Sequence, residues 1–171
     1  MKSILLTALF ITSVGITHFA TANDRDDLPG ISRIGQTIKK IKVNEWISDA
    51  PVIGSRLVIL DFWGTRCPPC RGAIPHLAAL QKKFSDKVVV ISISMYDSKK
   101  DVMALANGPF PEIKAFYQAL DSWDGPLAKF FGVDSIPQTA VLSSRLKVLW
   151  FDSPFELDDK TMAALIKSQE L

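Results

Sequence analysis

The sequence predicts an α/β fold in which a central mixed β-sheet is flanked by helices on both faces. Two nearly continuous apolar runs of strand length, at 56–63 and 88–95, enclose a segment with apolar residues at helical spacing. A strand, a helix of about 15 residues and a second strand form a βαβ unit, whose right-handed crossover makes the two strands parallel. Residues 139–142 and 148–151 predict an antiparallel hairpin, so the sheet contains both strand directions.

The elements on either side of this unit follow from local patterns. Weak alternation over Ile41–Val43 predicts a first edge strand that ends near Trp46. The segment 97–107 predicts a short helix with Ser98 as its N-cap. Residues 110–120 are ambiguous between strand and helix.

The C-terminal third predicts two further helical segments around the hairpin. Residues 127–131 are typical of a helical turn closed by Gly132. A tight Ser-Ser-Arg turn at 143–145 joins the two hairpin strands. The terminal segment 158–168 predicts an amphipathic helix with three apolar residues on one face, namely Met162, Leu165 and Ile166.

The first 22 residues are typical of a cleavable signal peptide. Lys2 supplies a short positive start, Ile4–Ile16 an apolar stretch, and Ala20–Ala22 the small-x-small pattern of a cleavage site. This apolar stretch is shorter than the roughly 20 residues that span a bilayer. The pattern therefore predicts export to the periplasm, with an uncleaved N-terminal anchor or a buried helix as the alternative.

Removal of residues 1–22 leaves 149 of the 171 residues, a length that fits one domain. Residues 23–39 are polar and predict a flexible lead-in, and 40–171 predict the folded domain. The whole chain has 20 basic and 18 acidic residues, and 47% of its residues are hydrophobic. This near-neutral balance without a basic run argues against a nucleic-acid partner, and the apolar content allows a core without disulfide staples.

The chain has only two cysteines, Cys67 and Cys70. Exported proteins that use disulfides as staples spread several cysteines along the chain, so this close pair predicts chemistry instead. A zinc site would need four ligands, and of the two histidines that could join the cysteines, His18 lies in the predicted signal peptide, which argues against zinc. Covalent haem attachment would need a histidine where Arg71 stands, so that interpretation fails. A purely structural pair remains an alternative, although so small a loop adds little stability.

Reversible dithiol exchange explains the spacing of the pair. A thiolate attacks a target disulfide, and a second thiol must lie near enough to release the product. If the motif begins a helix, unpaired amides and the helix dipole favour a negative charge on Cys67, and Cys70 lies one turn on and partly buried. Pro68 and Pro69 are tolerated in a first helical turn. Cys67 is therefore the predicted nucleophile and Cys70 the resolving thiol.

The surrounding residues resemble a known family. Asp61-Phe62-Trp63 followed by Cys67-Pro68-Pro69-Cys70-Arg71 resembles the active-site segment of the thioredoxin superfamily. The CPPCR form and the predicted export resemble its TlpA/ResA-like periplasmic branch, which includes the cytochrome c maturation thioredoxins. Pro75 matches the proline that kinks the family's active-site helix, and 135–139 resembles the segment that holds its cis-proline. The resemblance covers about residues 40–168 and implies a thioredoxin fold.

The resemblance also implies roles for individual residues. Pro137 matches the cis-proline beside the dithiol, and the backbone of Ile136 is expected to pair with the substrate chain. Asp61 matches the buried acid of classical thioredoxins, whose raised pKa suits it to accept the proton of Cys70. The expected substrate-contacting set comprises the residues around the dithiol, namely Ile136, Pro137, Trp63, Arg66, Pro68 and Pro69.

Two positions depart from the family pattern. Ala73 stands where the TlpA/ResA-like branch usually has a glutamate, so its acid–base role passes to Asp61 or is absent. Arg66 replaces the tryptophan that commonly precedes the first cysteine, and its charge should favour the Cys67 thiolate. Trp63 is expected to pack beneath the motif, and His76 is interpreted as a surface or core-edge residue.

The sequence therefore predicts a periplasmic thiol–disulfide oxidoreductase that reduces, or isomerises, disulfides of exported proteins through Cys67 and Cys70. This chemistry requires no cofactor beyond the redox-active disulfide and no metal. By resemblance, a membrane or periplasmic thiol reductase donates the electrons. The alternatives are a disulfide-forming oxidant and a non-catalytic redox-sensing binding module on the same fold.

Overall fold

The structure is a computed structural model that describes residues 31–169. The predicted signal peptide and residues 23–30 of the predicted lead-in lie outside the described residues. None of the helices in the described part is long and apolar enough to cross a membrane.

In the described part of the chain, six strands form one mixed sheet in the order β1-β4-β3-β2-β5-β6. The strands are β1 (Glu45–Trp46), β2 (Leu57–Trp63), β3 (Val88–Ser94), β4 (Tyr117–Leu120), β5 (Gln138–Leu142) and β6 (Val148–Asp152). The central strands β2, β3 and β4 are parallel, whereas β1, β5 and β6 each pair antiparallel with their neighbours. The predicted βαβ unit, hairpin and mixed sheet are confirmed.

Within residues 31–169, four α-helices cover the sheet. They are α1 (Pro68–Lys83), α2 (Lys99–Asn107), α3 (Pro126–Phe131) and α4 (Asp159–Gln169). Ser98 caps α2 as predicted, with Asp101 completing a capping box, and Gly132 ends α3 in a left-handed conformation. On α4, Met162 is buried, and Leu165 and Ile166 pack beside it against the core.

Two sequence-based expectations were wrong in detail, and one open assignment is resolved. The first edge strand ends at Trp46 as predicted, but it comprises only Glu45–Trp46 and excludes Ile41–Val43, because Ile41 and Val43 pack on the core without a strand partner. The ambiguous segment contains both structures in turn, a 3-10 turn at Pro111–Ala115 and then β4. The turn between β5 and β6 is longer than the predicted three residues and includes Leu146 at a φ of 62°.

Part of the predicted lead-in is bound to the sheet edge. Gly35 donates a backbone hydrogen bond to the carbonyl of Val148, whose own N–H donates to Gln36, and Ile38 donates to Leu146. Because the Ile38 side chain is buried, residues 35–38 run beside β6 instead of forming a flexible tether.

The two faces of the sheet bury different clusters. On the α1 face, β2 contributes Leu57, Ile59 and Trp63 to a cluster that includes both cysteines and the inner side of α1. On the α3 face, β2 contributes Val58, Leu60 and Phe62 to a cluster with Phe131 and Phe151. Strand alternation therefore determines which residues of β2 can reach the dithiol.

Candidate active site

Cys67 and Cys70 form a disulfide at the N-terminus of α1. The S–S distance is 2.06 Å and the two Cα atoms are 5.2 Å apart. Cys67 is the N-cap of the helix, and Pro68 and Pro69 occupy its first turn, as predicted. The Cys70 N–H donates to Cys67 Sγ at 3.2 Å. An otherwise unpaired amide of the helix terminus is thereby directed at the first sulfur, which stabilises negative charge there once the disulfide is reduced.

The two cysteines differ in their exposure to solvent. Cys67 is 9% exposed and Cys70 is 1% exposed. Arg66, Pro68 and Pro69 around Cys67 are exposed. Cys67 is therefore the more exposed of the two cysteines, and Cys70 is covered.

The segment before β5 lies against the first cysteine. The Ile136–Pro137 peptide bond is cis, as the resemblance implied. The carbonyl oxygen of Ile136 is 3.9 Å from Cys67 Sγ, and both residues of this peptide are partly exposed. A chain that pairs with the Ile136 backbone would therefore pass directly over Cys67.

Asp61 is a buried acid on the α1 face of β2. It is 2% exposed and lies between Ile59 and Trp63, which both belong to the cluster that contains Cys70. Burial raises the pKa of Asp61 from 3.8 to about 7, and a hydrogen bond from Thr139 limits this rise. Thr139 Oγ1 donates to Asp61 Oδ1 at 2.9 Å. A carboxyl with a pKa near neutrality can both accept and release a proton at physiological pH.

Asp61 belongs to a row of polar residues that crosses four strands. It is paired in register with Ser92 of β3 and with Thr139 of β5, and Ser92 is paired with Gln118 of β4. All four side chains are buried. Ser92, Thr139 and Gln118 were not predicted as site residues. The available signal was the alternation of β3, where serine interrupts an otherwise apolar run.

The Asp97 carboxylate fixes the loop before the dithiol, although Asp97 was not predicted as a site residue. Asp97 accepts hydrogen bonds from the Thr65 N–H at 2.7 Å and from Thr65 Oγ1 at 2.6 Å. Ser94 Oγ also donates to Asp97. The end of β3 and the loop that leads into Cys67 are therefore held together.

Arg66 lies beside an aromatic ring. Its guanidinium carbon is 5.4 Å from the centre of the Tyr96 ring, an arrangement typical of a cation–π contact. The expectation that Arg66 favours the Cys67 thiolate stays a prediction.

Three other positions are buried or structurally engaged. Trp63 is 1% exposed beneath the motif, so the expectation that it contacts the substrate is inconsistent with its position, whereas the expected packing role fits. Ala73 is fully buried on α1. His76 Nε2 lies 3.0 Å from the carbonyl oxygen of Leu157, which fits a core-edge residue.

The described part of the chain contains no candidate metal site. Among residues 31–169, no group of three or more histidine, cysteine, aspartate or glutamate side chains could hold a metal ion. A cavity of about 670 Å³ lies between the second half of α1 and the start of β4, and neither cysteine lines it.

In a comparison with known protein families, residues 54–148 match the thioredoxin-like family. The thiol-disulfide oxidoreductase ResA of Bacillus thuringiensis is 30% identical over 92 residues, which cover 54% of this chain and 51% of that protein. The chain spans about half or less of the length of the curated relatives it matches.

Solved structures share the fold at low sequence identity. A thioredoxin-like protein in the oxidised form is 17% identical with a TM-score of 0.63, over 78% of this chain and 96% of that one. A thiol-disulfide oxidoreductase from Bacteroides fragilis is 19% identical with a TM-score of 0.55, over 70% of this chain and 85% of that one. The expected thioredoxin fold is confirmed.

Proposed function

The chain belongs to the thioredoxin-like family, and from that premise we propose that it is a thiol–disulfide oxidoreductase that reduces disulfides of exported proteins. The observation that carries the proposal is the asymmetry of the dithiol. Cys67 is 9% exposed and lies at a helix N-terminus beside the Ile136 backbone, whereas Cys70 is 1% exposed and buried next to it. This arrangement supplies an attacking sulfur, a docking edge and a protected resolving sulfur.

The reaction proceeds in two exchange steps. In the reduced protein, the Cys67 thiolate attacks one sulfur of a client disulfide, and the client's second sulfur leaves as a thiolate that takes up a proton. Cys70 then attacks the Cys67 sulfur of the mixed disulfide. The Cys67–Cys70 bond forms, and the remaining client sulfur leaves as a thiol. The client gains two electrons and two protons, and the protein dithiol is oxidised.

Asp61 supports the second step. Cys70 must lose its proton to become a nucleophile, and it does so in an environment that excludes water. The raised pKa of Asp61, about 7, means that a large fraction of its carboxyl is ionised at neutral pH and can accept this proton. Thr139 orients the carboxyl through its hydrogen bond to Oδ1.

The proposal places the protein in the periplasm, with a thiol reductase of the membrane or periplasm as its electron donor. The signal-peptide pattern at 1–22 supports export. A fusion of residues 1–30 to a reporter that is active only after export tests this part. A fusion protein that is made but stays in the cytoplasmic fraction, with no reporter activity, would contradict it.

Insulin reduction with dithiothreitol tests the activity. The wild-type protein should accelerate reduction of the insulin disulfides, and Cys67→Ser should abolish the acceleration. In a separate reaction, Cys70→Ser that has been reduced and then freed of dithiothreitol should retain the first step and accumulate client held on Cys67 through a mixed disulfide, which a non-reducing gel detects. No acceleration by the wild type, together with no trapped client, would overturn the proposal.

The reduction potential tests the direction of electron flow. A value near −270 mV, as in thioredoxin, is expected for a reductant. A value near −120 mV, as in a strong disulfide-forming oxidant, would reject reduction while leaving thiol–disulfide exchange intact.

A further inference from the structure

The dithiol lies at the end of the sheet where the parallel strands β2, β3 and β4 terminate, and four chain segments lie side by side there. Strands β2, β3 and β4 are parallel neighbours, so their carboxyl ends lie side by side, and antiparallel β5 begins at the same edge. Cys67 follows β2, Tyr96 follows β3, and Trp123 follows β4, while Pro137 immediately precedes β5. Along this edge the order is therefore Pro137, Cys67, Tyr96 and Trp123.

Arg66, Tyr96 and Trp123 form an exposed surface, here called the aromatic ledge. Tyr96 is 37% and Trp123 is 42% exposed, and their rings stack with centroids 6.4 Å apart and planes 22° apart. Arg66 lies over the Tyr96 ring. Single exposed aromatic residues are ordinary on a protein surface, but two stacked rings with a cation beside a reactive cysteine form a contiguous surface.

The aromatic ledge is fixed relative to the dithiol. Gly64 lies directly beneath Tyr96, and a Cβ at this position would come within 2.4 Å of the ring. Asp97, the residue after Tyr96, holds the backbone and side chain of Thr65. Both contacts tie Tyr96 to the loop that leads into Cys67.

The charge of Arg66 is available to a partner. Within residues 31–169, no salt bridge joins its guanidinium to a carboxylate. Three acids of the neighbouring loops accept hydrogen bonds from other residues: Asp97 from Thr65 and Ser94, Asp101 from Ser98, and Asp124 from Ser122. Arg66 contributes only a minor part of the lowered pKa of Asp101, which is set mainly by hydrogen bonds from Ser98. Its N–H groups can therefore donate two parallel hydrogen bonds to the carboxylate of a partner.

We propose that the aromatic ledge binds client segments that carry an acidic side chain within about three residues of the reacting cysteine. This inference rests on the proposed function. Neighbouring strands are about 4.8 Å apart, so Tyr96 and Trp123 lie about one and two strand spacings from the end of β2. An extended chain advances about 3.3 Å per residue, so about three residues bridge the distance from Cys67 to Trp123. The client residues on the opposite side of the cysteine would pair with Ile136.

Peptides closed by a single internal disulfide test the proposal. Three versions of each peptide carry Glu, Gln or Lys two residues from one cysteine, because Arg66 lies over Tyr96, about one strand spacing from β2. In one set this residue precedes the cysteine, and in the other set it follows it. Pre-reduced protein is mixed with each peptide, and the appearance of peptide thiols is followed in a single turnover. The Glu peptide should react up to about fivefold faster than the Gln peptide, as expected of an ion pair at a partly exposed surface, and Lys should be slowest.

Two matched arginine variants assign the effect. Arg66→Gln should abolish the preference for Glu, and Arg145→Gln, which removes the same charge from the exposed turn between β5 and β6, should preserve it. Equal rates for the three peptides, or a preference that survives Arg66→Gln, would overturn the proposal. A uniform slowing of all three peptides by Arg66→Gln would also overturn it, because Arg66 would then act on the reactivity of Cys67.

Binding without chemistry separates this inference from the proposed function. The same peptides with serine in place of both cysteines are titrated against the oxidised protein, and tryptophan emission is recorded. Tighter binding of the Glu peptide, with a signal that Trp123→Phe removes, would support the aromatic ledge even if no disulfide were reduced. Reduction of all peptides without any such binding preference would reject the ledge and leave the reductase intact.

Discussion

The residues of β2 alternate between a face that packs on α1 and a face that packs on α3. On the α3 face, Val58, Leu60 and Phe62 are fully buried among apolar neighbours. On the α1 face, the same strand places Asp61 among buried apolar residues, with polar partners in register on both sides. The two faces are equally buried, but only one contains groups that can exchange protons.

This difference separates stability from chemistry within one strand. A buried carboxyl is costly because its charged form loses hydration, whereas a buried leucine stabilises the fold. The ionised Asp61 carboxylate therefore destabilises the folded protein at pH values above its pKa. Asp61 nevertheless lies on the face of β2 that contacts the dithiol. Adjacent residues 60 and 61 allow the two contributions to be tested independently.

Leu60→Ala should have the largest effect on folding. The side chain is fully buried on the α3 face, and such truncations lower the free energy of unfolding by up to about 5 kcal/mol. Urea denaturation of the oxidised protein measures this loss. Insulin reduction per folded molecule should stay at the wild-type rate, and a large loss of that rate would contradict the separation of the two faces.

The pH dependence of stability should report Asp61. The unfolded chain ionises this carboxyl near pH 3.8, whereas the folded chain keeps its proton until about pH 7. Between these values the folded state binds more protons, so its stability falls as pH rises, by about 4 kcal/mol in total, and levels off above pH 7. Denaturation of the wild type and Asp61→Asn at several pH values measures the difference. The variant should lack this fall, and parallel profiles for the two proteins would refute the assignment.

Asp61→Asn should also slow resolution of the mixed disulfide. General acid–base groups contribute rate factors of at least about 100, so the mixed disulfide should persist about 100-fold longer at pH 7. Rapid acid quenching followed by mass spectrometry measures its lifetime. The first attack by Cys67 should be much less affected, and equal slowing of both steps would point to a distorted site instead of a lost proton acceptor.

Thr139→Val should have the smallest effect. Loss of its hydrogen bond removes the interaction that lowers the pKa of Asp61, so the pH midpoint of the resolution step should move upward. The stability lost above pH 7, where the carboxyl is ionised, should be about 1 kcal/mol. The shift in midpoint should vanish in the double variant with Asp61→Asn, and its persistence there would show that Thr139 acts through another group.

The site was predictable from the sequence wherever a local pattern carried it. Asp61 interrupts an apolar strand directly before the two cysteines, so its burial beneath the motif could be expected. The same alternation buries Trp63, so its burial could have been predicted in place of the expected substrate contact. Tyr96 and Trp123 meet only because β3 and β4 are neighbours, and their separation of 27 positions carries no local signal.

The fold was predictable to a similar depth. Continuous apolar runs identified β2 and β3, since strands buried on both faces need apolar residues at nearly every position. Ile41–Val43 misled because alternating apolar residues can pack on a core without any strand partner. The binding of residues 35–38 to β6 depends on long-range backbone hydrogen bonds that composition does not encode.

Both edges of the sheet are blunted. At one end β1 contains only two residues, and at the other the segment 35–38 occupies part of the outer side of β6. Exposed strand edges recruit other extended chains and promote aggregation. A protein that handles incompletely folded clients would meet such chains constantly. Short and covered edges would direct these encounters away from the sheet and towards the backbone at Ile136, so that contact with a client leads to exchange of its disulfide and not to co-aggregation.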